Sequence, residues 1–354
     1  MSVDPLAFVR PCIARMEAYV PGEQPGTGGF IKLNTNENPY PPPAAVLERI
    51  RAACNGDLRL YPDASAREVR CRLATLFGVP METTIVGNGS DELLSIILRA
   101  FVDPGQTVAF PTPTYSYYHQ LVQTQGGQIR TVDFPDDYAL PAGLARTGAR
   151  VLLLANPNAP SGTLLPLAQV AELAERCAGM LVLDEAYVDF ATEGGVRLFE
   201  RHPNVIVLRT MSKSFSLAGM RIGFGFAVPE IIAQLWKIKD HYNLNRLSLV
   251  AAAAALDHID AMRANARRIG QTRAALTGAL RDLGFRVWDS QANFVLAQRQ
   301  TPPAKILYEA LKSRRILVRF FDQPRLRDCL RITVGTPEQV ARLVAELDDL
   351  IRHP

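Results

Sequence analysis

At 354 residues the chain exceeds a single domain of ordinary size, so one large unit and one smaller unit are expected. Hydrophobic residues at 48% and charged residues at 21% describe a soluble globular protein. The net charge of +4, from 39 basic and 35 acidic residues spread along the chain, argues against a nucleic-acid partner and is compatible with a phosphorylated substrate.

Cys12, Cys54, Cys71, Cys177 and Cys329 are odd in number, scattered and free of any Cys-x-x-Cys pairing. They point to reduced thiols in a cytoplasmic protein, without a disulfide framework or a metal site. No apolar run reaches the roughly 18 residues of a membrane span, and the start lacks the core of a signal peptide, so no membrane association is expected.

Residues 1–43 are rich in Pro and Gly, close on Pro39-Tyr40-Pro41-Pro42-Pro43, and predict an extended arm packed near the small unit and the active site. Residues 44–253 form the predicted large unit. Short apolar runs at Thr84–Val86, Thr107–Phe110, Val151–Leu154, Met180–Leu183, Val205–Leu208 and Ile222–Ala227 alternate there with helix-like segments. That alternation predicts an α/β fold, a mostly parallel sheet sandwiched by helices. From Pro229 to Leu283 the pattern is helical and predicts a long connecting helix. Residues 254–354 then form a smaller α+β unit, with strands at Phe285–Trp288, Asn293–Ala297, Ile316–Val318 and Leu330–Val334 and helices at Pro303–Ser313 and Pro337–Arg352.

Two segments suggest chemistry. Lys213 lies in Thr210-Met211-Ser212-Lys213-Ser214, followed by Arg221. A lysine can form an imine with an aldehyde, and hydroxyls with an arginine suit a phosphate, so the segment suggests tethered pyridoxal phosphate. Upstream, the run Leu181-Val182-Leu183 ends in Asp184-Glu185-Ala186-Tyr187. An aspartate at the carboxyl end of a parallel strand faces the ligand crevice and can pair with a protonated pyridine nitrogen. Alone, a lysine in a Ser-rich loop is more often surface decoration, and Asp184 could cap a following helix. Together they favour the cofactor.

With Asn156-Pro157-Asn158-Ala159-Pro160-Ser161-Gly162 before them, these segments resemble fold-type I pyridoxal-phosphate aminotransferases. Leu33-Asn34-Thr35-Asn36-Glu37-Asn38-Pro39, Tyr61-Pro62-Asp63, Gly89-Ser90-Asp91-Glu92 and Leu330-Arg331-Ile332-Thr333-Val334-Gly335 are similar to signatures of the histidinol-phosphate aminotransferase family. The resemblance runs from about Tyr19 to the C-terminus.

It implies Lys213 as tether and proton carrier, Asp184 on the ring nitrogen and Tyr187 on the ring oxygen. Gly89, Ser90 and Asp91 would contact phosphate at a helix start, a pattern that by itself is usually only an N-cap. Ser212, Arg221 and Thr210 would add donors, and Tyr115 would stack on the ring. The family's asparagine before Pro160 is replaced by Ala159, which leaves Asn158 or Asn156 as substitutes, or Tyr187 alone. Tyr61 would reach the phosphate bound by a neighbouring subunit, which implies a homodimer with shared sites. Arg319 and Arg331 would grip the substrate's anionic tail, with Tyr19 and Asn36 closing over it.

The implied reaction is transamination of histidinol phosphate with 2-oxoglutarate, giving imidazole-acetol phosphate and glutamate, in histidine biosynthesis. An aromatic-amino-acid aminotransferase is the alternative, with a phosphoamino-acid lyase behind it. A noncatalytic DNA-binding regulator fits poorly, since residues 1–43 are too short and Pro-rich for a helix-turn-helix.

Overall fold

A computed structural model describes residues 4–18, 22–24 and 29–353. Its strands in chain order are β1 (Ile31–Lys32), β2 (Thr84–Gly87), β3 (Thr107–Thr112), β4 (Gln128–Asp133), β5 (Val151–Ala155), β6 (Met180–Asp184), β7 (Val205–Thr210), β8 (Gly223–Phe226), β9 (Arg286–Val287), β10 (Phe294–Gln298), β11 (Ile316–Leu317), β12 (Arg319–Phe320) and β13 (Cys329–Thr333). Seven of them form a sheet of order β2-β8-β7-β6-β5-β3-β4, in which only β8 runs against its neighbours. The centre of the sheet is covered on both faces, which is why β5, β6 and β7 are near-continuous apolar runs. One face packs on the helices Ala44–Ala53, Arg67–Phe77, Leu167–Arg176 and Arg246–Asp257, and the other on Ser90–Phe101, Tyr117–Gln125 and Pro229–Ile238.

A second, antiparallel sheet has the order β12-β13-β10-β9. Its apolar face packs on the helices Ile259–Asp282, Ala304–Ser313 and Pro337–Arg352 around Leu276, Leu311, Ile332 and Leu343. Strand β1 pairs in parallel with β11, so the arm is fastened here. Earlier in the chain, a 3-10 turn at Pro5–Phe8 and a helical turn at Pro11–Ala14 interrupt the expected extended course. Arg10 there donates to the Thr124 carbonyl at 3.2 Å. No helix among the described residues is long and apolar enough to cross a membrane.

Three expectations about elements are corrected. The connecting helix is three helices, Pro229–Ile238, Arg246–Asp257 and Ile259–Asp282. The break after Ile238 is stabilised by Lys239, whose amine donates to the Asp240 carbonyl and to Asn243 Oδ1, and Asn245 then caps the next helix through the Ser248 N–H. Strand β4 was not expected because it is an edge strand with only Ile129 and Val132 partly buried, and an edge needs no apolar run. The predicted strand Ile316–Val318 ends at Leu317, and a separate short strand beyond the predicted range follows in another sheet. Ile316 and Leu317 join the arm, while Arg319 and Phe320 pair with β13.

Candidate active site

The site lies at the carboxyl ends of β5, β6 and β7, where open α/β sheets receive ligands. Asp184 ends β6, Thr210 ends β7, and Lys213 sits in the loop that returns as antiparallel β8. A cleft of about 210 Å³ is lined by Ser90, Asp91, Tyr115, Asp184, Tyr187, Thr210, Ser212, Lys213 and Arg221. The structure thus brings nine of the expected residues to one wall system.

One end of this cleft suits an anion. The helix Ser90–Phe101 begins at Gly89, which has φ +84° and no side chain to cover the first N–H groups. A Cβ on Gly89 would lie 2.6 Å from Arg221 Nη2, so glycine allows the guanidinium to lie against the helix start. Gly223 on β8 does the same for the strand, since a Cβ there would be 2.3 Å from the Ser90 nitrogen. Arg221 Nη1 donates to Ser212 Oγ at 3.3 Å, and Thr210 Oγ1 donates to the same oxygen at 3.0 Å. Asp91 takes a different part from the one expected. Its carboxylate accepts from Arg221 at 3.2 Å and from Tyr115 Oη at 3.2 Å. An anion could meet only its backbone N–H, while the side chain orients a cation and an aromatic ring.

The other end is built around a buried acid. Asp184 is 5% exposed. Its Oδ2 accepts from Tyr118 Oη at 2.7 Å and its Oδ1 from the Ala186 N–H at 3.2 Å. Burial pushes this carboxyl up to about 6, with the Asp91 and Glu185 charges adding to the rise and the Tyr118 hydrogen bond opposing it. Among the described residues it has no ion-pair partner, although Glu185 beside it is paired with Arg209 at 2.8 Å. A buried carboxylate that faces a cleft without a cation suits a cationic ligand atom such as a protonated pyridine nitrogen. The donors around Ser212 and Arg221 suit a phosphate on the same ligand. The residues present therefore fit pyridoxal phosphate.

Lys213 Nζ donates to the Thr35 carbonyl at 3.3 Å and lies 5.8 Å from the Tyr187 ring centroid. Its loop is held from both sides. Asn38 Nδ2 donates to the carbonyls of Lys213 and Ser214 at 3.2 and 3.1 Å. Ser214 Oγ donates to Asp189, which also faces Arg209. Tyr187 packs edge-on against Phe294 at 4.9 Å, and its hydroxyl accepts from Asn36 Nδ2 at 3.0 Å. That leaves the phenolic proton to donate to a ligand. Asn36, at φ 58° in the left-handed region, is fixed by Thr333 Oγ1 and by Asn293 Nδ2.

A second cleft of about 220 Å³ adjoins the first and shares Thr35, Tyr115, Ala159, Tyr187 and Lys213 with it. Asn36, Arg319, Phe321 and Arg331 are among its other lining residues. The β12–β13 register sets Arg319 directly opposite Arg331. Directly opposed residues share a sheet face, so the two guanidiniums lie together. Both face the Phe321 ring, at 5.3 and 5.4 Å from its centroid. Arg331 Nη2 also donates to the Asn34 carbonyl at 2.9 Å, which ties the arm to this wall.

Two expected residues, Asn158 and Tyr61, lie outside both clefts. Asn158 is not part of either cleft wall; its amide is occupied by Thr114 Oγ1, the Pro113 carbonyl and Ser161 Oγ. Asn156 is likewise occupied by the backbone of Leu165. Ala159 lines the cleft instead, together with Tyr187. Tyr61 is 78% exposed and stacks on Tyr242 at 4.4 Å, outside its own chain's cleft. Tyr19 falls outside the described residues.

Tyr118 was missed. Its spacing of three from Tyr115 was the available signal, since such pairs share one side of a helical turn. Thr35 and Glu37 also line the first cleft, from a segment in which Asn36 was the expected contact. Burial acts first to raise the Glu37 carboxyl, but hydrogen bonds from Lys32 and Thr35 and the Lys213 charge bring it below its usual range.

Fold and site together define an aminotransferase. The model of the family described as aminotransferase class I and II matches residues 29–347. A histidinol-phosphate aminotransferase of Microcystis aeruginosa is 43% identical over 344 residues, 97% of this chain and 98% of that protein. One from Syntrophotalea carbinolica is 46% identical over 346 residues, 97% and 99% of the two chains. The crystal structure of histidinol-phosphate aminotransferase from Sinorhizobium meliloti in complex with pyridoxal-5'-phosphate matches with a TM-score of 0.90 at 29% identity, over 98% of each chain. The chain belongs to the class I and II aminotransferases, and within them to the histidinol-phosphate aminotransferase family.

Proposed function

We propose that this protein is a pyridoxal-phosphate-dependent transaminase that exchanges the amino group between histidinol phosphate and 2-oxoglutarate, giving imidazole-acetol phosphate and glutamate, in histidine biosynthesis. The observation that carries the reading is Lys213 on the wall shared by two clefts, one with a buried acid and an anion cradle, the other with two opposed arginines. Histidinol phosphate carries its phosphate on the carbon next to the one that bears the amine, so an anion held at the arginines keeps the reacting carbon on the side of the cleft that Lys213 shares.

The residues that would hold the cofactor are Lys213 at the aldehyde carbon, Asp184 at the ring nitrogen and Tyr187 at the ring oxygen. Tyr115 would lie on the ring face, and Ser90, the Asp91 backbone, Thr210, Ser212 and Arg221 at the phosphate. When bound, the cofactor supplies an electron sink for the electrons of the broken carbon–hydrogen bond. Lys213 Nζ takes the proton from the amine-bearing carbon of the donor, and in the reverse half-reaction returns one to the keto carbon of the acceptor. Asp184, held ionised, favours the cationic form of the group it faces. Arg319 and Arg331 orient the substrate through its tail, a carboxylate in one half-reaction and a phosphate in the other.

Two further statements belong to this reading. The chain divides into an arm at 1–43, a large unit at 44–253 and a small unit at 254–354. It acts as a cytoplasmic homodimer in which Tyr61 completes the partner's anion site. Exposed Leu58, Leu60, Tyr61 and Tyr242 around one groove support that pairing.

Kinetics of each half-reaction with histidinol phosphate, glutamate and phenylalanine test the substrate, and a preference for phenylalanine would favour the aromatic enzyme instead. Subunit sharing is tested by mixing inactive Tyr61→Ala and Lys213→Ala chains. Random exchange places one intact site in half of the dimers, so about a quarter of the sites recover. An active monomer, or no recovery after demonstrated exchange, would exclude sharing.

A further inference from the structure

We propose that Tyr118 is a positioning residue for the reaction: one buried side chain fixes the acid Asp184 through its hydroxyl and braces the stacking ring Tyr115 with its edge. The inference rests on the cofactor reading of Asp184. Tyr118 is wholly buried, and its hydroxyl donates to Asp184 Oδ2 at 2.7 Å. Its ring meets Tyr115 at 5.5 Å and 83°, and Phe110 at 5.7 Å and 63°. Tyr115 in turn donates to Asp91, which holds Arg221. A continuous set of contacts therefore runs from the acid at one end of the cleft to the anion cradle at the other.

Filling this volume would need only a phenylalanine, so the hydroxyl must be explained by its partner. A buried hydroxyl without an acceptor is costly, and here the acceptor is a carboxylate that is itself buried. The charged groups facing Asp184 are Asp91, from the helix Ser90–Phe101, and Glu185, the next residue on its own segment; both disfavour its ionised form. Tyr118 and the Ala186 N–H are the donors opposing them. Burial and the Asp184 charge push the Tyr118 phenol well above its ordinary range. It therefore remains a donor at any working pH, and its bond favours the ionised form of the acid. Asp184 is ionised at neutral pH because Tyr118 points at it.

The test is an infrared titration of the Asp184 carboxyl in the apoprotein, with the band assigned by its loss in Asp184→Asn. In Tyr118→Phe the midpoint should move up from about 6 by one to two pH units, roughly ten- to a hundredfold in proton affinity. Replacing Tyr118 by 4-aminophenylalanine, which restores a weaker donor in the same place, should give an intermediate midpoint and serves if the phenylalanine variant does not fold.

Cofactor binding supplies the second measurement. The ratio of pyridoxal phosphate dissociation constants, Tyr118→Phe over wild type, should be about two- to tenfold at pH 7 and converge towards one near pH 9. A purely structural role would give a ratio independent of pH. A midpoint unmoved in both variants would overturn the proposal. If instead Asp184→Asn bound the cofactor as tightly as wild type, the cofactor reading would fail, while the coupling of Tyr118 to Asp184 would still have been measured.

Discussion

The two places proposed to receive the cofactor's phosphate and the substrate's tail are built differently. At Arg221 the site is mostly backbone: a helix start, a glycine that allows close approach, two hydroxyls and a single guanidinium held by Asp91. At Arg319 and Arg331 it is made of side chains from two opposed strands, with one aromatic ring near both and no helix terminus among the described contacts. A backbone cradle is rigid and suits one anion that stays. Long guanidinium side chains adjust to anions of different size and charge, as a pocket must if a carboxylate tail and a phosphate tail alternate in it. The contrast teaches that a resident group and a visiting one can be distinguished by how much of their binding is main chain.

The largest effect should come from the residue between the two sites. Lys213→Ala should lower turnover by at least about a thousandfold, since the variant has neither tether nor proton carrier, and borohydride should no longer fix the cofactor to the chain. Normal turnover in that variant would remove the mechanism and the comparison with it.

Next is the acid beside the resident site. Between pH 3.8 and about 6 the folded apoprotein holds the Asp184 proton more tightly than the unfolded chain does, so stability falls as pH rises through that window. The deficit is complete above it, about 3 kcal/mol, and absent below pH 3.8. Urea unfolding of the apoprotein should therefore find Asp184→Asn more stable than wild type at pH 7.5 and equal to it at pH 3.5, while cofactor binding is weakened. A variant less stable at both values would show that the acid is already compensated.

The visiting site is sharpened by its two arginines. Arg319→Ala should reduce kcat/KM for histidinol phosphate roughly ten- to a hundredfold and that for glutamate much less, whereas Arg331→Ala should reduce both. Equal losses for the two substrates in Arg319→Ala would make the site indifferent to phosphate. The smallest effect is expected from Arg221→Lys, which keeps the charge and loses the fork. Cofactor affinity should fall about tenfold with the substrate preference unchanged. A change in preference would mean that the two sites are not separate.

Much of this arrangement was legible in the chain. Buried parallel strands declare themselves as apolar runs, and those runs end at Asp184 and Thr210, where the ligand side of the sheet begins. Residues that act through backbone or through unusual neighbours were harder to see. Asp91 looked like a phosphate contact because its position was right, but its carboxylate serves Arg221 and Tyr115. Asn158 looked like a ring contact, and its amide is consumed locally. Tyr118 carried no motif, because its role depends on Asp184, which is 66 residues away. Likewise, the opposition of Arg319 and Arg331 follows from one strand ending at Leu317 and another starting at Arg319, and no local pattern marks that break.

The fastening of the arm has a consequence for how the enzyme is made. Asn36 is anchored to Thr333, and Asn34 to Arg331, each across 297 residues. A chain emerging from the ribosome can build the seven-stranded sheet, with Asp184 and Lys213 in place and Asn38 able to meet the Lys213 loop, while residues 31–36 still lack the partners they take from β11 and β13. Only when β11 and β13 are complete can that segment gain its strand partner and its anchors at Thr333 and Arg331, which hold Asn36 in place against Tyr187. This early segment thus gains its full set of contacts late, and the side of the second cleft made by Arg319 and Arg331 is absent until β12 and β13 have been made.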